Sequence, residues 1–473
     1  MKTRPLTTLL ISLLTLCTSA GAMTEPDQKE SGKSRPNVIL FLADDQSYGD
    51  MSLHGNPHVN TVRMDTFAKQ SIELTHFYVS PVCSPTRASL MTGRYHLRTG
   101  VTDVRHNFCK MNPGEVTIAE ALKGAGYKTA IFGKWHLGDT RPHRPMDQGF
   151  DESIVHTGSG IYGKNSYFNP MLLHNGQSKS FQGYCLDIFT DHAIGFLHAR
   201  KTDGNPFFLY LPSNLVHTPL QSKKVLAQPF IDKGLDDKTS QIYGMLKCVD
   251  NNFGRLLDKV EEFGFDDNTI IIYTSDNGPC HGGTTPQRYM AGLHGLKGTV
   301  YENGIRVPCF IRWPAGQIQG GSTSSQTTAH IDIMPTVLAA CQVKKPKELQ
   351  LDGVNLLPLL KDPQHKLADR MLFSKWDGHG KPQEELAFAV RFRNFKLVQA
   401  NGMNRGDICN KYSELCRAQE KGEKTLTDKP TYELFDIEKD PGELHDISAQ
   451  HPEMVESMMK KYKLWFKEVS KDL

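Results

Sequence analysis

The stretch Asn37-Val-Ile-Leu-Phe-Leu-Ala43, running straight into Asp44-Asp45, decides the fold. A continuous apolar run bounded by charge reads as a strand buried on both faces, the kind found inside parallel sheets. Thr129-Ala-Ile-Phe132, Phe207-Phe-Leu-Tyr-Leu211 and Thr269-Ile-Ile-Ile-Tyr-Thr274 repeat that texture further along. Helical patterns lie between them, as over 116–125 and 242–263. Strand alternating with helix predicts an α/β domain whose mostly parallel central sheet is covered on both faces. Val307-Pro-Cys-Phe-Ile-Arg312, as a strand, and the helix-like run from His330 to Ala340 complete this domain.

The texture changes near Asp377. Phe388-Ala-Val-Arg-Phe392 and Phe395-Lys-Leu-Val398 read as short antiparallel strands joined at Arg393-Asn394, and Tyr432-Glu-Leu-Phe-Asp436 as another. An amphipathic helix from Pro452 to about Val469 places Met454, Val455, Met458, Trp465 and Phe466 on one stripe, which reads as packing. The expected organisation is therefore a catalytic domain over 36–376 and a smaller C-terminal α+β subdomain over 377–473. There is no internal repeat and no low-complexity segment.

The N-terminus reads as a removable leader over 1–22 followed by a flexible segment over 23–35. Lys2 and Arg4 precede a short apolar run from Leu9 to Leu16, and Ala20-Gly21-Ala22 supplies small residues for cleavage. Cys17 raises a lipoprotein reading, but Leu16 before it is bulky where a small residue is expected. No later run approaches the roughly 18 to 20 apolar residues of a membrane span. The expected mature protein is exported, periplasmic or secreted, without membrane insertion. A net charge of +3, well mixed along the chain, points to neither nucleic acid nor membrane. Ten cysteines match no small disulfide scaffold or zinc module; Cys409 and Cys416 are the expected pair.

Chemistry gathers where strands end. The first strand runs into Asp44-Asp45 and the Thr269 strand into Asp276-Asn277-Gly278. Ligands of open parallel sheets bind beyond the carboxyl ends of strands. Three carboxylates and an amide there make an all-oxygen set suited to a hard cation such as Ca²⁺ or Mg²⁺. Either pair alone reads equally well as a helix cap or an Asx turn. In Cys83-Ser84-Pro85-Thr86-Arg87, Ser84 suits an N-cap and Pro85 the first helical position, so a helix is expected to begin there. Cys83 would then sit where backbone donors favour an anion, with Arg87 one turn along to reach back over it. A lone cysteine of this kind is more often simply buried.

Cys83-x-Pro85-x-Arg87 followed by Thr92-Gly93 resembles the signature of the type I sulfatases, of the alkaline phosphatase superfamily. The resemblance runs from Pro36 to about Asp446. It takes in Ala43-Asp44-Asp45, Gly133-Lys134-Trp135-His136-Leu137-Gly138, His217-Thr-Pro219, Ser275-Asp276-Asn277-Gly278, His294-Gly-Leu-Lys297-Gly298, Glu302 to Pro308 and Leu434 to Pro441. It implies an alkaline-phosphatase-like α/β/α sandwich with a small C-terminal antiparallel sheet and a packed helix. It further implies sulfate-ester hydrolysis, with Cys83 oxidised to formylglycine (3-oxoalanine) by a maturation enzyme. Asp44, Asp45, Asp276 and Asn277 would hold Ca²⁺, rather than Mg²⁺, together with residue 83.

By the same resemblance, Arg87 and Lys134 orient the formylglycine. His136 takes a proton from its second hydroxyl as sulfate leaves. His217 and Lys297 bind sulfate, one of them protonating the leaving alcohol. Lys134 and His136, two apart, would point the same way on an extended segment. The substrate class implied is a sulfated carbohydrate, as for many exported bacterial relatives; the sugar and the oligomeric state stay open. His106, His143, His156 and His294 read as structural. Arg63, Arg105, His106, Arg141, His143 and Arg144 read equally as a cationic rim or a solvated surface.

Two departures stand out. Thr61-Val-Arg-Met-Asp65 replaces a frequent Thr-Pro-Asn-Leu-Asp, which puts the loop shape in doubt and gives Arg63 a possible hand in substrate preference. A further family serine aligns loosely with Ser159. The rival enzyme is a phosphodiesterase or phosphonate monoester hydrolase of the same superfamily, and the rival from another class is a non-catalytic binder of sulfated glycans.

Overall fold

A computed structural model describes Met1 and residues 35–158, 167–280, 282, 284–378, 380–399, 432–471 and 473. Residues 35–473 form one compact unit. The expected leader, Ser159, Cys17, Cys409 and Cys416 lie outside the described residues.

Ten strands make the main sheet, in the order β11 (Ser322–Ser324), β2 (Ile72–Leu74), β10 (Cys309–Arg312), β9 (Thr269–Ser275), β1 (Asn37–Ala43), β8 (Phe207–Pro212), β4 (Lys128–Gly133), β5 (Glu152–Val155), β6 (Met171–His174) and β7 (Gln177–Ser180). The five strands from β9 to β5 are mutually parallel. Antiparallel β10 flanks them on one side and β6–β7 on the other. Each apolar run singled out in the sequence is a strand of this sheet, and β1 lies at its middle.

Alternation along β1 shows why the run had to be apolar throughout. Val38, Leu40 and Leu42 face one core, which includes α2 (Cys83–Thr92), α3 (Ile118–Gly124), α7 (Ile333–Ala340) and α8 (Leu357–Lys361). Ile39 and Phe41 face the other, with α1 (Val62–Lys69), α4 (Cys185–Asp203), α5 (Lys224–Asp232) and α6 (Asp237–Glu262). Helix α6 begins earlier than its apolar pattern suggested because Asp236 caps it, accepting from the Thr239 N–H. Helix α3 opens on a capping box between Thr117 and Glu120.

A short pair, β3 (Phe77–Tyr78) with β12 (Thr328–Ala329), leads to a four-stranded antiparallel sheet. That sheet runs β13 (Leu372–Lys375), β14 (Phe388–Phe392), β15 (Phe395–Gln399) and β16 (Tyr432–Asp436). The closing helix α9 (Pro452–Val469) buries Met458, Tyr462, Trp465, Phe466 and Val469 against it, and Tyr462 stacks on Phe388 at 3.7 Å. The same cluster takes in Tyr78, Tyr95, Leu97 and Ile331, so the small sheet packs on the large domain. Among the described residues no helix is long and apolar enough to cross a membrane.

Candidate active site

The parallel strands β1 and β9 end side by side, with Ala43 paired to Ser275. The next residues, Asp44-Asp45 and Asp276-Asn277, therefore arrive together at the carboxyl edge of the sheet, and all four are fully buried. Asp45 has φ +60, a left-handed conformation costly for an ordinary residue, and this turn brings its N–H to Asp276 Oδ1 at 3.2 Å. Gly278 closes the second turn; a β-carbon there would stand 1.6 Å from the Asn303 carbonyl oxygen, so only glycine fits.

Cations answer some of these oxygens. Lys134 Nζ donates to Asp44 Oδ2 at 2.6 Å. Arg87 grips Asp276 Oδ2 through Nη2 at 2.7 Å and Nε at 3.1 Å. Lys297 Nζ and Asn277 Nδ2 both donate to Asp45 Oδ1, the latter at 2.7 Å. Three buried oxygens are left without a hydrogen-bond partner: Asp44 Oδ1, Asp45 Oδ2 and Asn277 Oδ1. Ligand atoms of Asp44, Asp45 and His217 lie within 4.8 Å of one another. Buried oxygens with nothing to bind are costly, and an all-oxygen group of this kind fits a hard cation.

The electrostatics tell the same story. Burial works to raise Asp44, yet Lys134, His217 and Arg87 hold it well below the usual carboxylate range. Burial together with the Asp44 charge pushes Asp276 up to about 8 despite Arg87. Each of the three carboxylates has one cation, yet crowding among them still leaves Asp276 raised.

Cys83 is the first residue of α2, buried, with Sγ 3.3 Å from His136 Nδ1. The cap differs from the sequence expectation. Val82 occupies the N-cap position without a side-chain bond, and the Ser84 hydroxyl instead donates to the His136 carbonyl at 3.0 Å. Ser84 thus ties the helix to the loop after β4. Arg87 Nη1 donates to the Lys134 carbonyl at 2.5 Å while its other nitrogens hold Asp276, and the guanidinium is close enough to Cys83 to interact with it electrostatically.

Lys134 and His136 also differ from the expected extended pair. Strand β4 ends at Gly133, and His136 has φ +61, so the turn rather than the strand period brings both inward. His136 Nε2 lies 3.0 Å from the Val104 carbonyl, which fixes its proton there and leaves Nδ1 as an acceptor facing Cys83. Burial, Lys134 and Arg87 depress this imidazole well below its ordinary value, so it is neutral. His217 Nδ1 lies 2.5 Å from the Thr218 carbonyl, which leaves Nε2 bare and 3.9 Å from Asp45 Oδ2. Burial, Lys297 and Lys134 press His217 down to about 4. Lys297 stays charged well above its ordinary range: Asp45 outweighs the burial that works against the ammonium.

Other candidates fall elsewhere. Arg63 is bound to α6 through the Gly254 carbonyl at 3.1 Å and Asp258. Arg144 pairs with Asp147 at 2.8 Å, and Arg141 is highly exposed. Arg105 and His106 are exposed on the loop that carries Val104, with Arg105 also paired to Asp103. His143 Nδ1 meets the Met111 carbonyl at 2.8 Å, His156 packs with Cys185 and Asn214, and His294 stacks against Tyr301 at 4.1 Å.

The sequence reading missed several supporting residues. Arg288 holds the Asp45 carbonyl at 3.2 Å while paired with Asp50. The Tyr167 hydroxyl donates to the carbonyls of Asn214 at 2.7 Å and His217 at 2.5 Å, fixing the His217 turn. Neither stands near a recognisable motif; only the fold brings them in.

Comparison with known proteins places these features. The family described as Sulfatase matches residues 36–343. The family described as N-sulphoglucosamine sulphohydrolase, C-terminal, matches residues 292–412. N-acetylgalactosamine-6-sulfatase of Homo sapiens is 31% identical over 375 residues, covering 72% of this chain and 68% of that protein. Arylsulfatase G of Mus musculus is 30% identical over 423 residues, covering 79% of this chain and 78% of its own. The crystal structure of Ps i-CgsB in complex with k-i-k-neocarrahexaose superposes with a TM-score of 0.77 at 27% identity, over 91% of this chain and 93% of that one.

Proposed function

The chain belongs to the sulfatase family, and from that premise we propose that it hydrolyses sulfate esters of a carbohydrate through a formylglycine made from Cys83, with calcium bound beside it. One observation carries the reading: three unpartnered buried oxygens, on Asp44, Asp45 and Asn277, stand among Lys134, Arg87, Lys297 and His217.

Asp44, Asp45, Asn277 and Asp276 would hold the calcium, which supplies positive charge against substrate oxygens and lowers the pKa of a bound hydroxyl. The formylglycine hydrate supplies two hydroxyls on one carbon, one to attack sulfur and one whose deprotonation lets sulfate depart. The chain's own side chains do the remainder. Lys134 keeps Asp44 ionised, and Arg87 holds Asp276 in place against the burial and the Asp44 charge that raise it. Neutral His136, its Nε2 proton committed to Val104, offers Nδ1 as the base beside residue 83. Neutral His217 turns a bare Nε2 toward the acidic cluster and has no proton there to give. The general acid for the leaving alcohol is therefore Lys297, the charged donor across the cleft.

The sugar substrate is supported by the relatives, one captured with a neocarrahexaose and another named for an N-acetylgalactosamine sulfate. Export through the N-terminal leader, to the periplasm or beyond, and processing of Cys83 by a maturation enzyme belong to the same reading. The test is to produce the protein in a host that matures sulfatases, measure the mass of the Cys83 peptide, and compare sulfate release from sulfated oligosaccharides with turnover of an aryl phosphate diester. Formylglycine with sulfate release supports the reading. An unmodified thiol in a host that converts a control sulfatase, or preference for the phosphate diester, overturns it.

A further inference from the structure

One indole, just after β13, meets two segments of the site directly and a third through one of them. Trp376 follows β13, is only 4% exposed, and ties its backbone N–H to the Ala387 carbonyl at 3.1 Å. The Cζ3 edge of its ring faces Gly298, the residue after Lys297. A β-carbon on Gly298 would stand 2.8 Å from the ring, and φ there is +84, so glycine is required on both counts. The Gly298 N–H donates to the Pro81 carbonyl at 2.8 Å, two residues before Cys83.

The opposite edge of the ring reaches His136. Trp376 Nε1 donates to Asp103 Oδ1 at 3.2 Å, and the same oxygen accepts from the Val104 N–H at 2.7 Å. The Val104 carbonyl then receives His136 Nε2 at 3.0 Å. The neighbouring ties of this loop go to the same C-terminal stretch. Thr102 Oγ1 donates to the Gly380 carbonyl at 2.7 Å, Arg105 Nη2 donates to the Gly378 carbonyl at 3.0 Å, and the Phe108 ring packs on Gly380.

Lys297 and His136 both stand on irregular backbone, outside any helix or strand. Nothing in their own segments fixes the spacing between them, and that spacing governs a reaction in which one acts as acid and the other as base. We propose that Trp376 is a positioning residue: it holds His136 through Asp103 and Val104, and Lys297 and Cys83 through Gly298 and Pro81, in one geometry. The stretch that follows β13 of the small sheet thereby helps to complete the active site rather than merely packing behind it. This rests on the hydrolase reading above, which names His136 and Lys297 as the working groups.

The experiment measures aryl sulfate turnover by matured full-length protein over a range of substrate concentrations, with Tm recorded for each variant. Trp376→Phe keeps a ring on Gly298 and removes the N–H donor. It is expected to lower kcat by about tenfold with KM within about twofold, as for misplaced catalytic groups. Asp103→Ala should lose a similar factor, and the double variant should be no worse than the worse single, because both break one chain of contacts. Asp103→Asn, which keeps an acceptor oxygen, should recover most of kcat. The wild-type rate in the same assay reports on the hydrolase reading, and the ratios between variants report on Trp376. Wild-type kcat per folded molecule in Trp376→Phe, or losses that multiply in the double variant, would overturn the proposal.

Discussion

Two clusters of buried charge stand a few residues apart in the chain, on either side of Lys297 and Glu302, and they are built on opposite plans. Around Glu302 the charges are nearly closed on themselves: one oxygen, Glu443 Oε1, has only the Lys396 ammonium beside it, and burial pushes Glu443 up to about 7. Lys396 Nζ lies 2.9 Å from both Glu302 Oε1 and Glu443 Oε1, Tyr78 donates to Glu302 Oε2 at 3.0 Å, and the Glu302 N–H donates to Glu443 at 2.6 Å. Against the raising effect of burial, Lys396 and Arg306 hold Glu302 down at about 2. Around Asp45 the cations are as many, yet three oxygens remain unanswered and Asp276 is pushed up. Burial and charge are common to both. What separates the two is degree: three unpartnered oxygens converge in one, against a single one held beside an ammonium in the other.

The comparison breaks first at the open cluster. Lys134→Ala, Asp276→Ala and Cys83→Ala should each lower turnover by at least about 10²- to 10³-fold, the cost of one lost donor in a dry site, with the protein still folded by circular dichroism. At the closed cluster the expected loss is in stability. Lys396→Met strands two buried carboxylates, so chemical denaturation should show a cost of about 3–5 kcal/mol while turnover per folded molecule stays near wild type.

Ligand linkage sharpens the contrast. Calcium at 100 times its Kd should stabilise the wild type by about 2.7 kcal/mol in thermal unfolding, and Asp45→Ala should show no such gain. The smallest effect is with pH. His330 and His76, beside the closed cluster, are pushed by burial down to about 3 and about 4. Each is neutral when folded and takes a proton on unfolding below about pH 6.5. Their contribution is complete above that value and is lost as pH falls toward 4, reaching under about 1 kcal/mol per histidine by pH 6. Denaturation midpoints measured between pH 7.5 and 6 check the sign, and His330→Gln should flatten the dependence.

How much of this was legible in the chain follows from range. The apolar runs 37–43, 207–211 and 269–274 announce the central strands because a strand covered on both faces must be apolar throughout. Edge strands such as β7, Gln-Ser-Lys-Ser, carry no such signature, since exposure lifts the constraint. The acidic pairs at strand ends and the Cys83 segment were equally visible, being local motifs. Trp376, Arg288 and Tyr167 were not. Their roles come from contacts made across about fifty to nearly three hundred residues, and an indole in a loop looks the same whether it fills a core or spans a site. The turn at His136 escaped for a related reason: residue spacing does not reveal a left-handed φ.

The most direct measurement is sulfate release by the matured protein, with metal content followed through exhaustive chelation and return of calcium. The structure predicts release falling to background as metal is stripped and recovering when one calcium per chain is restored. Full activity in verified metal-free protein would contradict it, because the three open oxygens would then have no ion to serve.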